Sequence, residues 1–293
     1  MINLDQYQYK EAMRPYTADS LLERLRKIKH VALDMDGTIY KGSTLFSFTK
    51  EFLNTLKEMG IGYSFLTNNP SKSTSDYIHH LDEMGIVASK EEMYTSAQAT
   101  IGYIKSHHPE AKRLFLLGTP SMISEFEDAG FVSTKDSPDD VPDMIVASFD
   151  MSLTYSRLCR TSWWVSQNVP YIATNPDKIC PTDQPTVLVD CGSICSCIAD
   201  ATGKHPEVIV GKPSPSMLDG ILMKDNLQPE EVAMLGDRLY TDVKMALDAK
   251  AFGVLVLTGE ATVADAMESD DKPDLIADNL MSFLELLRKS KGL

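Results

Sequence analysis

Short apolar runs alternate with helical patterns along this chain. Val31–Leu33 is such a run, and it ends in Asp34. After it, Leu45, Phe52, Leu53, Leu56 and Met59 fall roughly on one helical face. Gly60 stands where a left-handed C-cap would stop that helix. Ile61–Leu66 is the next strand pattern. Ser73 and Asp76 follow at capping-box spacing, then Ile78, Leu81 and Met84, with Gly85 as a second stop. Further on, Ser214 and Pro215 are placed as N-cap and first helical residue ahead of Met217, Leu218, Ile221 and Leu222. Val232–Leu235 and Gly253–Leu257 read as buried strands, with a helix around Val243–Ala249 between them.

The middle of the chain carries an alternation of its own. Arg113–Leu117, Met144–Ala147 and Val169–Ala173 have strand patterns, and Ser121–Ala129 and Thr154–Gln167 have helical ones. A turn-rich stretch, Thr134–Asp143, lies inside this region rather than at its edge. Strands alternating with helices predict an α/β fold, a Rossmann-like parallel sheet with helices on both faces. The expected organisation is a discontinuous core of residues 1–109 and 207–293, with an α/β domain inserted at 110–206. Length agrees, since 293 residues make two domains of about 150 each.

Composition excludes several classes. Acidic residues number 42 and basic ones 28, a formal charge of −14. An acidic chain lacks the basic face with which a nucleic-acid binder displaces counterions. No apolar run approaches the roughly 18 residues of a membrane span. Met1–Lys10 is polar and has no apolar signal segment. Five cysteines, an odd number, fit a reducing compartment better than a disulfide framework. A cytoplasmic protein without nucleic-acid or membrane partners is expected.

The candidate chemistry gathers at strand ends. Val31-Ala-Leu-Asp34-Met-Asp36-Gly37-Thr38 closes an apolar strand with two carboxylates, which need a cation or donors between them to ionise together. Ligands of open α/β sheets bind at such ends. The next strand opens into Thr67-Asn68-Asn69, a hydroxyl and two amides. Lys212 precedes a helix start in Gly211-Lys-Pro-Ser-Pro215, and Gly236-Asp237-Arg-Leu-Tyr-Thr-Asp242 places two more carboxylates beyond another strand. Each segment alone reads equally well as a strand exit, an Asn turn, a solvated lysine or an N-cap. Four in this order are poorly explained that way.

Together these residues resemble the haloacid dehalogenase-like (HAD) phosphatase superfamily, whose four motifs are an Asp-x-Asp-x-Thr, a Ser/Thr, a Lys, and a Gly-Asp followed by a further Asp. The likeness extends to its NagD-like, class IIA sugar and nucleotide phosphatase branch. It rests on Asp34–Gly42, Leu66–Asn69, Thr95–Ala97, Ala173–Asp177, Ala201–Pro206, Gly211–Pro215 and Gly236–Asp242, and covers about residues 28–290. That branch carries a large α/β cap between the second and third motifs.

The resemblance implies an Mg²⁺-dependent phosphatase acting on a small-molecule phosphate ester, such as a sugar phosphate or nucleoside monophosphate. Asp34 would be the nucleophile that becomes an aspartyl-phosphate. Asp36 would protonate the leaving oxygen and then deprotonate the hydrolytic water. The Asp34 side chain, the Asp36 backbone carbonyl and Asp237 would hold Mg²⁺, with Asp242 orienting the site from behind. Thr67, Asn68 and Lys212 would hold the phosphoryl oxygens, with Asn69 beside them. Within 110–206, Asn175, Asp177, Lys178 and Cys180 are candidates for leaving-group contacts. The branch also allows a homodimer through the cap.

Other readings are weaker. Gly37–Thr44 has glycines five apart but Ser43 where a nucleotide-binding P-loop requires Lys. Cys191, Cys195 and Cys197 lack the paired spacing of a zinc site. The segment 191–198 replaces a more Gly/Ala-rich stretch usual in the branch, and is expected in or near the cap loops that meet substrate. Trp163 and Trp164 are expected to pack the cap. A phosphotransferase or mutase using the same aspartyl-phosphate remains open, because only the acceptor differs. A signalling receiver domain would need about one domain of chain and has no use for Asp36.

Overall fold

The computed structural model describes residues 7–180 and 185–293. The polar stretch Met1–Lys10 therefore lies outside the described residues as far as Gln6. The chain forms two compact units. One comprises Met1–Leu66, Leu81–Met93 and Leu218–Leu293, and the other Thr67–His80 and Tyr94–Met217.

The first unit is built on strands in the order Leu275–Ala277, Phe252–Val256, Val232–Gly236, His30–Asp34 and the strand that runs from Gly62 to the unit boundary at Leu66. These run parallel, with Val31 paired to Ala233 on one side and Tyr63 on the other. Val31, Ala32 and Leu33 are buried, as are all residues of Val232–Gly236 and Phe252–Val256. That is why these strands read as unbroken apolar runs rather than alternating ones. Helices Ala18–Lys27, Thr49–Glu58 and Leu280–Lys291 bury Leu21 and Leu25, Phe52, Leu53 and Leu56, and Phe283, Leu284 and Leu287 respectively. Thr17 and Ser20 form a capping box, and Asn279 caps the last helix through Met281 and Ser282.

Local signals hold up at several ends. Gly60 and Gly85 have φ of +68° and +74°, the left-handed conformation expected of helix stops. Ser73 and Asp76 exchange hydrogen bonds at 2.9 and 3.2 Å. Three details differ. Leu45 belongs to a hairpin, Tyr40–Lys41 with Thr44–Leu45, and not to the helix that starts at Thr49. The helix assigned to Ser214 and Pro215 begins at Ser216. The stretch before Lys244–Asp248 winds as a π-helical turn, Leu239–Val243.

The second unit has its own five-stranded parallel sheet, ordered Val208–Ile209, Tyr171–Ala173, Met144–Ala147, Arg113–Leu117, Val132–Ser133. Strand alternation divides its core in two. Phe115, Leu117, Ile145 and Ala147 pack with Trp164, Cys191, Ile194, Cys195 and Ile198 on one face. Leu114, Leu116, Met144 and Val146 pack with Ala97, Met122 and Phe126 on the other. The segment 191–198, expected in or near the cap loops, forms the start of helix Cys191–Thr202. Cys191, Ile194, Cys195 and Ile198 stand at i, i+3, i+4 and i+7, and the two thiols fill core space as small apolar groups. Trp164 is core, whereas Trp163 is partly exposed under Arg160. Ile179–Cys180 and Leu188–Val189 make a short antiparallel pair. Among the described residues no helix is long and apolar enough to cross a membrane.

Candidate active site

In the first unit, Asp34 is the last residue of its strand and half-buried. The chain then turns sharply: the Met35 carbonyl accepts from Thr38 and Ile39 at 3.2 and 2.9 Å, and Gly37 donates to the Tyr40 carbonyl at 2.7 Å. Asp36 is exposed at the base of the hairpin, and its Oδ1 accepts from Gly42 at 3.3 Å. Gly37 has φ of +89°, and a Cβ there would sit 2.3 Å from Asp237 Oδ2. Only glycine allows both the turn and the approach.

Asp237 follows strand Val232–Gly236, and the π-helical turn after Arg238 brings Asp242 back to it. Oxygens of Asp34, Asp237 and Asp242 lie within 4.8 Å of one another. Asp237 and Asp242 are 3% and 1% exposed, so two carboxylates of this group are nearly cut off from water. The donor set, three carboxylates with oxygens converging on one point, is chemically that of a hard divalent cation. Asp242 Oδ2 accepts from the Arg238 N–H at 3.2 Å, and Asp237 Oδ2 from the Glu260 N–H at 2.7 Å. Burial of the Arg238 guanidinium works against its charge, but Tyr240, Asp34, Asp237 and Glu260 more than offset it and raise its pKa.

The second unit holds the other candidates. Thr67 and Asn68 are buried at a strand end, and Thr67 Oγ1 accepts from the Asn69 N–H at 3.2 Å. The Asn68 amide grips the backbone of Lys212 at two points: its Oδ1 accepts from Lys212 N at 2.7 Å and its Nδ2 donates to Lys212 O at 2.9 Å. Nδ2 also donates to Asp177 Oδ2 at 3.0 Å. Gly211 permits the approach, since a Cβ there would lie 2.8 Å from Asn68 Oδ1. Asn175 is fully buried and bridges Asp177 and Asp190 at 3.2 and 3.0 Å. Burial pushes the Asp190 carboxyl up to about 6, against the hydrogen bonds from Asn175 and Cys191 and with Asp177 adding to the rise. Asn69 Nδ2 donates to Cys180 Sγ at 3.4 Å. Lys178 is exposed.

Within each unit the predicted residues converge. Asp34, Asp237 and Asp242 form one group, with Asp36 two residues along but its side chain outside the trio. Asn68, Lys212, Asn175 and Asp177 form another, and Asn69 with Cys180 a smaller one. Sequence reasoning missed Asp190, whose local signal is only that of an N-cap ahead of helix Cys191–Thr202. It also missed the loop Thr258–Ala261, which was detectable as a Thr-Gly step ending an apolar strand.

Residues 31–132 match the family model described as haloacid dehalogenase-like hydrolase, and residues 209–283 one described as HAD-hydrolase-like. An acid sugar phosphatase of Staphylococcus aureus is 32% identical over 249 residues, 85% of this chain and 94% of that protein. A 4-nitrophenylphosphatase from Thermotoga maritima superposes with a TM-score of 0.84 at 39% identity, covering 89% of this chain and 98% of the other. NagD from E. coli K-12 does so with a TM-score of 0.78 at 28% identity, covering 86% and 97%.

Proposed function

This chain belongs to the haloacid dehalogenase-like hydrolases, in their NagD-like class IIA branch, and from that membership we propose an Mg²⁺-dependent hydrolysis through an aspartyl-phosphate. At the coarser level it is a phosphoric monoester hydrolase acting on small phosphate esters. The observation that carries the finer reading is the group Asp34, Asp237 and Asp242 at two adjacent strand ends, with Asp36 beside it. The substrate proposed is a sugar phosphate, a nucleoside monophosphate or a similar metabolite.

Asp34 would attack phosphorus with a carboxylate oxygen while the P–O bond to the leaving group breaks. Asp36, exposed and two residues along, would give its proton to the departing oxygen. It would then take a proton from the water that attacks the aspartyl-phosphate, releasing inorganic phosphate and restoring Asp34. Asp34, Asp237 and the Asp36 carbonyl would hold Mg²⁺, whose chemistry when bound is to neutralise charge on the phosphoryl oxygens. Thr67 and Lys212 would hold those oxygens too, with Asn68 fixing the Lys212 backbone. The segment 110–206 would act as the cap, selecting the leaving group through Asn175, Asp177, Lys178 and Cys180 and excluding bulk water.

The test is phosphate release by Asp34→Asn on a panel of esters with Mg²⁺. Activity should fall below about 1% while the fold survives, because covalent catalysis is worth several kcal/mol. Retained turnover would remove Asp34 from the nucleophile role. Transfer of phosphate to an added alcohol in place of release would identify a phosphotransferase.

A further inference from the structure

We infer that the loop Thr258–Ala261 is a strap that sets the orientation of Asp237, with Thr258, Gly259 and Glu260 as positioning residues for the metal site; this rests on the metal reading above. The loop leaves strand Phe252–Val256, the neighbour of the strand that ends in Gly236. It supplies no carboxylate to the trio of Asp34, Asp237 and Asp242. Its backbone nevertheless holds Asp237 twice. The Ala261 N–H donates to the Asp237 carbonyl at 3.0 Å, and the Glu260 N–H to its Oδ2 at 2.7 Å. One bond fixes where the residue sits and the other fixes the rotation of its carboxylate.

Three further contacts make the loop a connected device. Thr258 Oγ1 donates to the Gly37 carbonyl at 2.5 Å, which ties the Asp34–Thr38 turn to the same strap. Gly259 passes so close to Asp237 that a Cβ would stand 1.9 Å from Oδ2, so this position excludes any side chain unless the carboxylate moves. The Glu260 carboxylate is held from both sides, by Arg238 Nε at 2.9 Å and by the Tyr240 hydroxyl at 3.0 Å. Arg238 in turn donates its N–H to Asp242. The strap thereby links the segments that carry all three carboxylates. A ligand for a small, geometrically demanding cation gains affinity from being held in place before the ion arrives.

The experiment is calorimetric titration of Mg²⁺ into the full chain, with thermal midpoints recorded without metal. The wild type, Asp237→Ala, Gly259→Ala, Thr258→Val and Thr258→Ser are compared. Gly259→Ala should raise the Kd for Mg²⁺ about 10- to 100-fold and Thr258→Val by about 3- to 10-fold, with Thr258→Ser near wild type because it restores the hydroxyl. A wild-type Kd in both Gly259→Ala and Thr258→Val would overturn the strap. So would a weakened Kd in Thr258→Val that Thr258→Ser fails to restore. Should Gly259→Ala not fold, the two Thr258 variants decide the matter. No Mg²⁺ binding by the wild type, or wild-type binding by Asp237→Ala, would overturn the metal reading itself.

Discussion

Asn68 offers the sharpest quantitative test, because one amide makes three hydrogen bonds to two candidate site residues. Its carbonyl accepts from Lys212 N, and its two N–H bonds go to Lys212 O and Asp177 Oδ2. Lys212 is 3% exposed, so Asn68→Ala leaves a buried N–H and a buried C=O without these partners. Each unsatisfied buried group costs about 1–3 kcal/mol, so the two together cost about 2–6 kcal/mol. For a unit of this size that lowers the thermal midpoint by roughly 5–20 °C. Displacing Lys212 by about 1 Å is expected to cost on the order of 100-fold in kcat/KM. Asn68→Asp keeps the acceptor for Lys212 N but turns a carboxylate toward Asp177, and should be at least as damaging. Differential scanning fluorimetry and initial rates on p-nitrophenyl phosphate read both effects. A midpoint within about 1 °C of wild type, with unchanged kcat/KM, would refute the reasoning.

Asp237→Ala removes one anionic ligand of the proposed cation, so the half-saturating Mg²⁺ concentration should rise at least tenfold; rates measured against metal concentration decide it, and an unchanged half-saturation counts against the assignment. Asp177→Ala and Lys178→Ala should reorder a phosphate-ester panel by about 5- to 150-fold in kcat/KM while affecting p-nitrophenyl phosphate less, and a uniform loss would assign them to folding or to the core chemistry. His30 is buried, with its ring nitrogens 2.9 Å from Ser64 Oγ and 3.3 Å from Asp225, and burial lowers its pKa to about 4 despite the Asp225 charge. An unfolded chain protonates this residue near pH 6.5 and the folded one does not, so stability falls as pH drops from about 6.5 to 4, by up to about 3 kcal/mol. His30→Gln should flatten urea-denaturation stability over that window, and an unaltered pH slope would exclude the residue.

What the sequence determined by itself was whatever depends on near neighbours along the chain. The apolar run Val31–Leu33 had to be a strand with Asp34 at its end, because a buried parallel strand needs unbroken apolar residues and a carboxylate ends it. Gly60 and Gly85 announced left-handed stops, and Ser73 with Asp76 an N-terminus, since those bonds close within a few residues. The motif residues were legible for the same reason: Asp34 and Thr67 close their strands, and Asp36, Asn68 and Asp237 follow within two positions of a strand end. Tertiary structure decided what distant segments do together. The spacing of the cysteines at 191 and 195 argued against a zinc site, but only the sheet of the second unit shows that they fill its core. Leu45 matched a helical stripe, yet a two-residue hairpin claimed it. Asp190 acquires its raised pKa only from burial beside Asn175 and Asp177. Gly259 became obligatory only because the fold carries Asp237, 22 residues earlier, to within 1.9 Å of where its Cβ would be. Propensity and spacing act over a turn or two of chain, whereas burial, close approach and carboxylate orientation are set by segments that meet only once the sheet has ordered them.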